Sequence, residues 1–176
     1  MAASRSTVSG RPCDGAAVHL RDATDDDLDL LLDLLLEAFN WTGEARFTLD
    51  DVRSDPHTGR YLDGWRRPGD LGVVAVDGTA PVGAVWARAL TADAPGYGYV
   101  ADDVPELGMA VAAGARGRGV GTLLLSGFLD RARTAGWRAV SLSVEDGNTA
   151  ARALYERHGF VPVGRNGGSD TLLRTL

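Results

Sequence analysis

Residues 106–134 read ELGMAVAAGARGRGVGTLLLSGFLDRART, and three different sequence patterns follow one another within them. Its first part, Glu106–Val111, is a short apolar run typical of a β-strand. Its middle part, Gly114–Gly121, is a loop rich in glycine and arginine. From about Val120 to Ala135, apolar residues recur at the spacing of an amphipathic helix. A strand followed by a tight loop and a helix is typical of an α/β domain.

Similar patterns on both sides predict a single α/β domain with a mixed sheet of six to seven strands and about four helices. The predicted strands are Val18–Arg21, Leu71–Val76, Pro81–Arg88, Glu106–Val111, Val140–Val144, Phe160–Arg165 and Thr171–Leu176. The predicted helices are 24–39, Thr48–Ser54, Val120–Ala135 and Asn148–His158. We expect residues 1–15 to be a disordered leader and residues 16–176 to be the domain, since 176 residues are too few for two well-packed cores.

Two local features refine this organisation. Asp77-Gly78 lies between two predicted strands and is typical of a β-hairpin turn. Leu30 and Leu34 lie off the main apolar face of the first helix, so they form a second apolar surface. We expect that surface to pack on something, and a partner subunit in a homodimer is one candidate.

Composition excludes several classes of protein. No apolar run approaches the ~20 residues that span a bilayer, and Met1–Gly15 lacks the apolar core of a signal peptide, so we expect a cytoplasmic protein without membrane contact. Cys13 is the single cysteine and the three histidines lie far apart, which predicts no metal site. The net charge is −6 and all 18 basic residues are arginine, which argues against nucleic-acid binding.

Charge is unevenly distributed along the chain. Between Asp14 and Glu37 there are eight acidic residues and only Arg21 to balance them, whereas Gly114–Arg138 has five arginines and only Asp130. A solvated face explains each run equally well. The functional alternative is a molecule that binds an anion at the later segment and a cation near the earlier one.

The glycine–arginine loop has the chemistry of an anion-binding site. Backbone N–H groups at a helix start have no partner within the helix, and glycines let them approach an anion closely. Arginines add charged, forked donors for phosphate oxygens. A P-loop is excluded because the chain contains no lysine, and a dinucleotide fingerprint does not fit, because Leu124 stands where its last glycine should be. A plain turn with exposed arginines remains the alternative for this loop alone.

Two motifs together resemble those of the GNAT N-acetyltransferase superfamily. Arg116-x-x-Gly119-x-Gly121 is similar to its acetyl-CoA signature, Gln/Arg-x-x-Gly-x-Gly/Ala. Downstream, Asn148-Thr149-Ala150-Ala151-Arg152-Ala153-Leu154-Tyr155-Glu156-Arg157-His158-Gly159-Phe160 is similar to its second motif, Asn-x-x-Ala-x-x-Leu-Tyr-x-x-x-Gly-Phe. The resemblance covers Leu71–Leu176 well and implies a sheet that splays at an acetyl-CoA site.

The resemblance also implies which residues bind acetyl-CoA. The diphosphate would lie on the loop, and the pantetheine arm would pair with the free edge of the preceding strand by β-addition. Asn148 would contact the pantetheine region, although it is also a good N-cap. The implied binding residues are Met109, Ala110, Val111, Arg116, Gly117, Arg118, Gly119, Val120, Gly121, Thr122 and Asn148.

For catalysis, the resemblance implies that Tyr155 is the general acid that protonates the departing CoA thiolate. Glu106, at the head of the cofactor strand, is our candidate base for the attacking amine. Some family members use a glutamate five residues before the motif asparagine, but this chain has Ser143 there. Glu145, Asp102 and Asp103 are therefore alternative bases, and each of the four is equally well explained as an ordinary acidic residue. Cys13 lies in the leader, so we expect direct transfer without an acyl-cysteine.

These features predict transfer of acetyl from acetyl-CoA to a primary amine of a small molecule or peptide. The superfamily forms its acceptor groove from segments equivalent to Thr24–Ser54 and Ala89–Asp103, which here are acidic and aromatic. We therefore expect a cationic acceptor. The residues behind this expectation are Asp29, Asp33, Glu37, Trp41, Tyr97, Tyr99, Asp102 and Asp103.

Three alternatives stay open. A non-catalytic acyl-CoA-binding regulatory module would use the same fold without turnover. A small nucleotide-binding protein would prefer ATP or NAD, although the missing lysine disfavours it. A different acyl donor, such as succinyl-CoA, would require only a differently shaped pocket.

Overall fold

A computed structural model describes residues 17–176, which form one mixed seven-stranded sheet with helices on both faces. The predicted leader, residues 1–15, and Cys13 lie outside the described residues. The strands are β1 His19–Asp22, β2 Leu71–Asp77, β3 Ala80–Arg88, β4 Glu106–Val111, β5 Ala139–Glu145, β6 Val161–Asn166 and β7 Ser169–Thr175. Their spatial order is β1-β2-β3-β4-β5-β7-β6, and only the β4–β5 pair is parallel. The predicted α/β fold is confirmed.

Five α-helices connect the strands within the described residues. They are α1 Leu28–Phe39, α2 Leu49–Ser54, α3 Pro56–Gly59, α4 Val120–Thr134 and α5 Thr149–Arg157. Asn148 caps α5 by accepting the Ala151 N–H at 3.2 Å, as its position in the sequence predicts. Thr24 opens a single 3₁₀ turn, Asp25–Asp27, that leads into α1.

The short helix α3 is not among the helices that the sequence predicts, because a proline such as Pro56 usually ends a helix. The Asp55 carboxylate caps the helix by accepting the His57 N–H at 2.8 Å, and Pro56 occupies the first helical position. Proline is favoured there because its missing N–H would have no partner in the helix. The dipeptide therefore begins a helix instead of only ending one.

Successive side chains of each strand point to opposite faces of the sheet, so a separate hydrophobic core forms on each face. Val85 of β3 points toward α4 and α5, whereas its neighbour Trp86 points toward α1. Leu34 is buried in the α1-side core, and half-buried Leu30 packs against the same core. The second apolar surface of the helix therefore packs within the chain, so Leu30 and Leu34 do not support the homodimer that the sequence offered as one candidate.

A buried ion pair fixes the segment after α3 to the sheet. Arg88 of β3 pairs with Asp70, and both side chains are almost completely buried. The same guanidinium donates to the carbonyls of Arg60 and Asp63, at 2.9 and 2.8 Å. Tyr61 lies between the two bonded residues, so these hydrogen bonds help to hold its side chain over β4.

Among residues 17–176, no helix combines the length and the apolar character needed to cross a membrane.

Candidate active site

A cleft of about 930 Å³ opens where β4 and β5 separate. The two strands pair at a single position, Glu106 opposite Ser141, and diverge beyond it. The edge of β4 from Met109 to Val111 therefore faces the cleft instead of a neighbouring strand. An unpaired strand edge presents N–H and C=O groups that an extended ligand can use.

Gly98 lies at the apex of this divergence. A Cβ atom added to Gly98 would lie 2.3 Å from the carbonyl carbon of Leu142, so only glycine lets this loop contact the backbone of β5. The Gly98 N–H also donates to the Glu106 carboxylate at 2.8 Å. The loop between β3 and β4 therefore forms a wedge that closes the inner end of the cleft.

The glycine–arginine loop lies at the opposite end of β4 and leads into α4. Gly119 precedes the helix with φ 81°, a left-handed conformation that other residues adopt only with strain. The first hydrogen bond of α4 is donated by Leu123 to the Gly119 carbonyl at 3.0 Å. The N–H groups of Val120, Gly121 and Thr122 precede this bond, and all three residues line the cleft.

The two loop arginines have different positions. Arg116 lines the cleft, donates to the Val111 carbonyl at 3.1 Å and pairs with Glu37 of α1 at 2.6 Å. Arg118 pairs with Asp77 of the β2–β3 turn at 2.7 Å and is not among the cleft residues. Of the predicted binding residues, the structure therefore brings all except Arg118 to the cleft.

Tyr155 reaches the cleft from α5, on the face of the sheet opposite α1. Its side chain is buried beside Phe160, with ring centroids 5.8 Å apart. Burial alone raises the pKa of the Tyr155 phenol to about 12, because the charged phenolate would lose its hydration. The phenol therefore holds its proton at neutral pH.

Glu106 lies at the inner end of the cleft, on the α1 face of the sheet. Its Oε1 accepts hydrogen bonds from the Tyr61 hydroxyl at 2.7 Å and the Gly98 N–H at 2.8 Å. Its Oε2 has no hydrogen-bond partner among the described residues. Burial raises the pKa of Glu106, and these two donors partly oppose the increase. A carboxylate that lines the cleft, keeps one oxygen unpaired and has a raised pKa is a candidate general base.

The alternative bases have other environments. Glu145 lines the cleft, but Arg46 and Trp41 hydrogen bond to it and lower its pKa. Asp102 accepts the Tyr99 hydroxyl at 2.6 Å and the Ala92 N–H at 2.9 Å, and neither Asp102 nor Asp103 lines the cleft. Only Glu106 among the four combines a place in the cleft with a raised pKa.

Aromatic side chains form the α1 side of the cleft. The Tyr97 ring is stacked near Tyr61, with centroids 6.4 Å apart, and packs edge-on against Phe39 at 6.2 Å. Phe47 follows at 5.4 Å from Phe39. Sequence reasoning missed Tyr61, Phe47 and Arg46, because they lie in the segment between Trp41 and Asp70 that has no clear periodicity.

The acidic surface that the sequence predicted for a cationic acceptor does not form in the cleft. Asp29, Asp33, Tyr99, Asp102 and Asp103 lie elsewhere. Of the predicted set, only Glu37, Trp41 and Tyr97 line the cleft, and Glu37 is paired with Arg116. Residues 17–176 also contain no group of three or more His, Cys, Asp or Glu side chains that could hold a metal ion.

Comparison with known proteins places this architecture in a family. The model of the Acetyltransferase (GNAT) family matches residues 30–160. The mycothiol acetyltransferase of Beutenbergia cavernae is 37% identical over 121 residues, which are 68% of this chain and 36% of that protein. The mycothiol acetyltransferase of Jonesia denitrificans is 33% identical over 143 residues, or 80% of this chain and 41% of that protein. The chain thus spans less than half the length of these curated relatives.

Solved structures agree on the fold. PaiA N-acetyltransferase from Thermoplasma acidophilum, crystallised in complex with coenzyme A, superposes with a TM-score of 0.69. The match covers 91% of this chain and 99% of that one, at 15% identity, a level that shows the fold alone. The splayed sheet, the matched family model and these relatives agree: the chain belongs to the GNAT acetyltransferase family, whose members use acetyl-CoA as cosubstrate.

Proposed function

We propose that this chain transfers the acetyl group of acetyl-CoA to the primary amine of a small molecule, by direct attack of the amine on the thioester. The observation that carries the proposal is the placement of Glu106 and Tyr155 in one cleft, on opposite faces of the splayed sheet. A base on one face and an acid on the other match the two proton transfers that amide formation requires.

The cofactor side of the cleft suits coenzyme A. The amides of Val120, Gly121 and Thr122 lie at the positive end of the α4 dipole, where a diphosphate is stabilised. Arg116 lies beside them and can exchange its Glu37 partner for a phosphate oxygen, since both side chains are partly exposed. The free edge of Met109–Val111 supports pairing with an amide-containing arm, and Asn148 lies across the cleft.

The acid and the base then have separate tasks. The acetyl thioester supplies an electrophilic carbonyl carbon, to which the amine nitrogen bonds as the carbon–sulfur bond breaks. Glu106 accepts the proton that the nitrogen loses. Tyr155 supplies a proton to the departing sulfur, which its raised pKa keeps available at neutral pH. A backbone N–H of β4 near Ala110 would stabilise the negative charge that develops on the carbonyl oxygen.

The acceptor side suits an amine carried on a compact, partly apolar molecule. Its wall is aromatic, and Glu37 and Glu145 are both paired with arginines, so the cleft has no cluster of open carboxylates for a polycation. The relatives are named mycothiol acetyltransferases, which supports a small-molecule acceptor and makes mycothiol-type amines the first compounds to test. Acetyl-CoA is an intracellular metabolite, which supports a cytoplasmic location.

A thiol-release assay with acetyl-CoA and a panel of primary amines tests this function. The panel should contain mycothiol-type amines, amino-acid amides, peptide amines and polyamines. We expect turnover with at least one compact amine, and a fall in kcat of roughly 10²–10⁴-fold in Tyr155→Phe, with acetyl-CoA binding retained.

The main competing function is a non-catalytic acyl-CoA-binding module. Such a module would bind acetyl-CoA in calorimetry and release no thiol with any amine. A measurable turnover that Tyr155→Phe leaves unchanged would instead contradict the role of Tyr155. Turnover with succinyl-CoA in place of acetyl-CoA would assign a different donor to the same site.

A further inference from the structure

Three side chains join the two sides of the cleft. The Arg46 guanidinium donates to both carboxylate oxygens of Glu145, at 2.7 and 2.8 Å. The Trp41 indole N–H donates to Glu145 Oε2 at 2.6 Å. Trp41 and Arg46 belong to the segment between α1 and α2, whereas Glu145 ends β5. We refer to Trp41, Arg46 and Glu145 together as the strap.

The strap lies on the acceptor side of the sheet. Alternate residues of a strand share a face, and Val140, Leu142 and Val144 belong to the α4–α5 core. Glu145 therefore points to the opposite face, toward α1. Glu106 also points toward α1, where it bonds to Tyr61. The strap and the candidate base are consequently on the same side of the cleft, away from Tyr155.

The strap also lies at a defined distance from Glu106. Glu106 is opposite Ser141, and Glu145 is four residues further along β5. At about 3.3 Å per residue, this separation is roughly 13 Å along the strand. Because β4 and β5 diverge over this distance, contacts from the α1 side to Glu145 cross the gap between them. The strap therefore crosses the gap roughly 13 Å from the level of Glu106.

Several bonds hold the strap in its position. Arg46 also donates to the Phe39 carbonyl at 2.6 Å, at the end of α1. The Asn40 side-chain oxygen accepts the N–H groups of Arg46 and Phe47, at 2.9 and 3.0 Å, which fixes the loop that contains Arg46. A forked arginine–carboxylate pair within such a network is more persistent than a single surface ion pair.

We propose that the strap sets an upper limit on acceptor size: it closes the α1-side opening of the cleft beyond Glu106, so that compact amines fit between them and amines carried on larger chains are excluded. This inference rests on the proposed acetyl transfer and assigns Trp41, Arg46 and Glu145 a role in specificity. Arg46 and Glu145 neutralise each other, so the limit is one of shape and applies to acceptors of either charge.

Binding of two bisubstrate conjugates tests the proposal without requiring turnover. In each conjugate, the CoA sulfur is bonded to the methylene carbon of an –S–CH2–C(=O)–NH– bridge, whose carbonyl carbon is bonded to the amine nitrogen. The bridge is a thioether and an amide, so the conjugate is stable to hydrolysis during the titration. The compact conjugate contains ethylamine, and the bulky one contains the N-terminal amine of a tetrapeptide. Calorimetry with the wild type, Arg46→Ala and Arg53→Ala gives the affinity ratio of the two conjugates for each protein.

Arg53→Ala is the matched control. Arg53 also forms an exposed ion pair between two elements, with Asp29 of α1 at 3.3 Å, but it does not line the cleft. We expect the wild type and Arg53→Ala to prefer the compact conjugate equally. In Arg46→Ala, the relative affinity for the bulky conjugate should rise at least about tenfold, the scale on which a shaped pocket discriminates by size.

An affinity ratio in Arg46→Ala equal to that of the wild type would overturn the proposal. If thermal unfolding shows that Arg46→Ala does not fold, Glu145→Gln replaces it, because this variant removes the charge that holds Arg46 and keeps an oxygen for Trp41. The affinity ratio of the two conjugates for Glu145→Gln is then compared with that for the wild type, and equal ratios would overturn the proposal. A protein that shows the expected ratio but transfers no acetyl group would contradict the proposed function and leave the strap in place. Binding of neither conjugate to the wild type would overturn both.

Discussion

Glu106 depends on a hydrogen bond from a residue that lies 45 positions earlier in the chain. The Tyr61 hydroxyl donates to Glu106 Oε1 and accepts the Tyr97 N–H at 2.8 Å, so it connects the candidate base to the loop that contains Tyr97. Its position at the head of a strand made Glu106 a candidate base in the sequence, beside Glu145, Asp102 and Asp103. Tyr61 was not predictable, because its contact depends on the tertiary packing of a segment without periodicity.

Tyr61→Phe should shift the pH dependence of catalysis. The lost hydrogen bond lowers the pKa of Glu106 in the wild type, so its removal raises that pKa further. Because Glu106 must be ionised to accept the proton of the amine, the acidic limb of the kcat/KM profile should move to higher pH. A hydrogen bond to a charged group corresponds to a shift of about one pH unit.

The control for this shift is Tyr99→Phe, which removes a hydrogen bond to Asp102 outside the cleft. The profile of Tyr99→Phe should coincide with that of the wild type. A profile of Tyr61→Phe that also coincides with it would show that Glu106 is not the group titrating on the acidic side.

At the scale of elements, agreement between sequence and structure follows the range of the interactions. The β2–β3 hairpin and the caps of α2 and α5 depend on neighbouring residues, and each was predicted within one or two positions. The divergence of β4 and β5 depends on the Gly98 wedge and on a single pairing of distant residues. The periodicity of apolar residues contains no information about contacts between distant residues. The divergence of β4 and β5 was therefore suggested by the family resemblance alone.

Gly98→Ala should destabilise the protein by removing this wedge from its place on β5. The added Cβ would lie well within contact distance of backbone atoms of Leu142 and Ser143, which cannot move aside as a flexible side chain can. Overpacking of this kind costs about 1–3 kcal/mol, measurable by chemical denaturation.

Gly114→Ala provides the comparison, because a Cβ at Gly114 would meet no atom within 4 Å. Its free energy of unfolding should stay within about 0.5 kcal/mol of the wild type. Equal stabilities of Gly98→Ala and Gly114→Ala would mean that the wedge is not closely packed in solution.

At the scale of the whole molecule, two ion pairs join the acidic segment to the arginine-rich segment. Arg131 of α4 bonds to Asp22 of β1 at 2.6 Å, and Arg116 bonds to Glu37 of α1 at the same distance. The sequence showed an acidic segment and an arginine-rich segment. It offered two explanations for them, a solvated face and a molecule that binds an anion at one segment and a cation at the other. The first of these ion pairs joins α4 to β1, and the second joins the loop before α4 to α1 beside the cleft.

We propose that the start of α4 binds acetyl-CoA through a left-handed backbone conformation at Gly119 that other residues adopt only with strain. Calorimetric titration of acetyl-CoA into Gly119→Ala and Gly136→Ala tests it most directly, since both glycines have φ near 80° at opposite ends of α4 and only Gly119 lines the cleft. Both variants should lose similar stability. Gly136→Ala should bind acetyl-CoA as the wild type does, and Gly119→Ala at least about tenfold more weakly, a loss of 1.4 kcal/mol or more. Equal affinities in the two variants would show that the conformation of Gly119 is not needed for binding. The absence of binding heat in the wild type would show that this cleft does not bind acetyl-CoA.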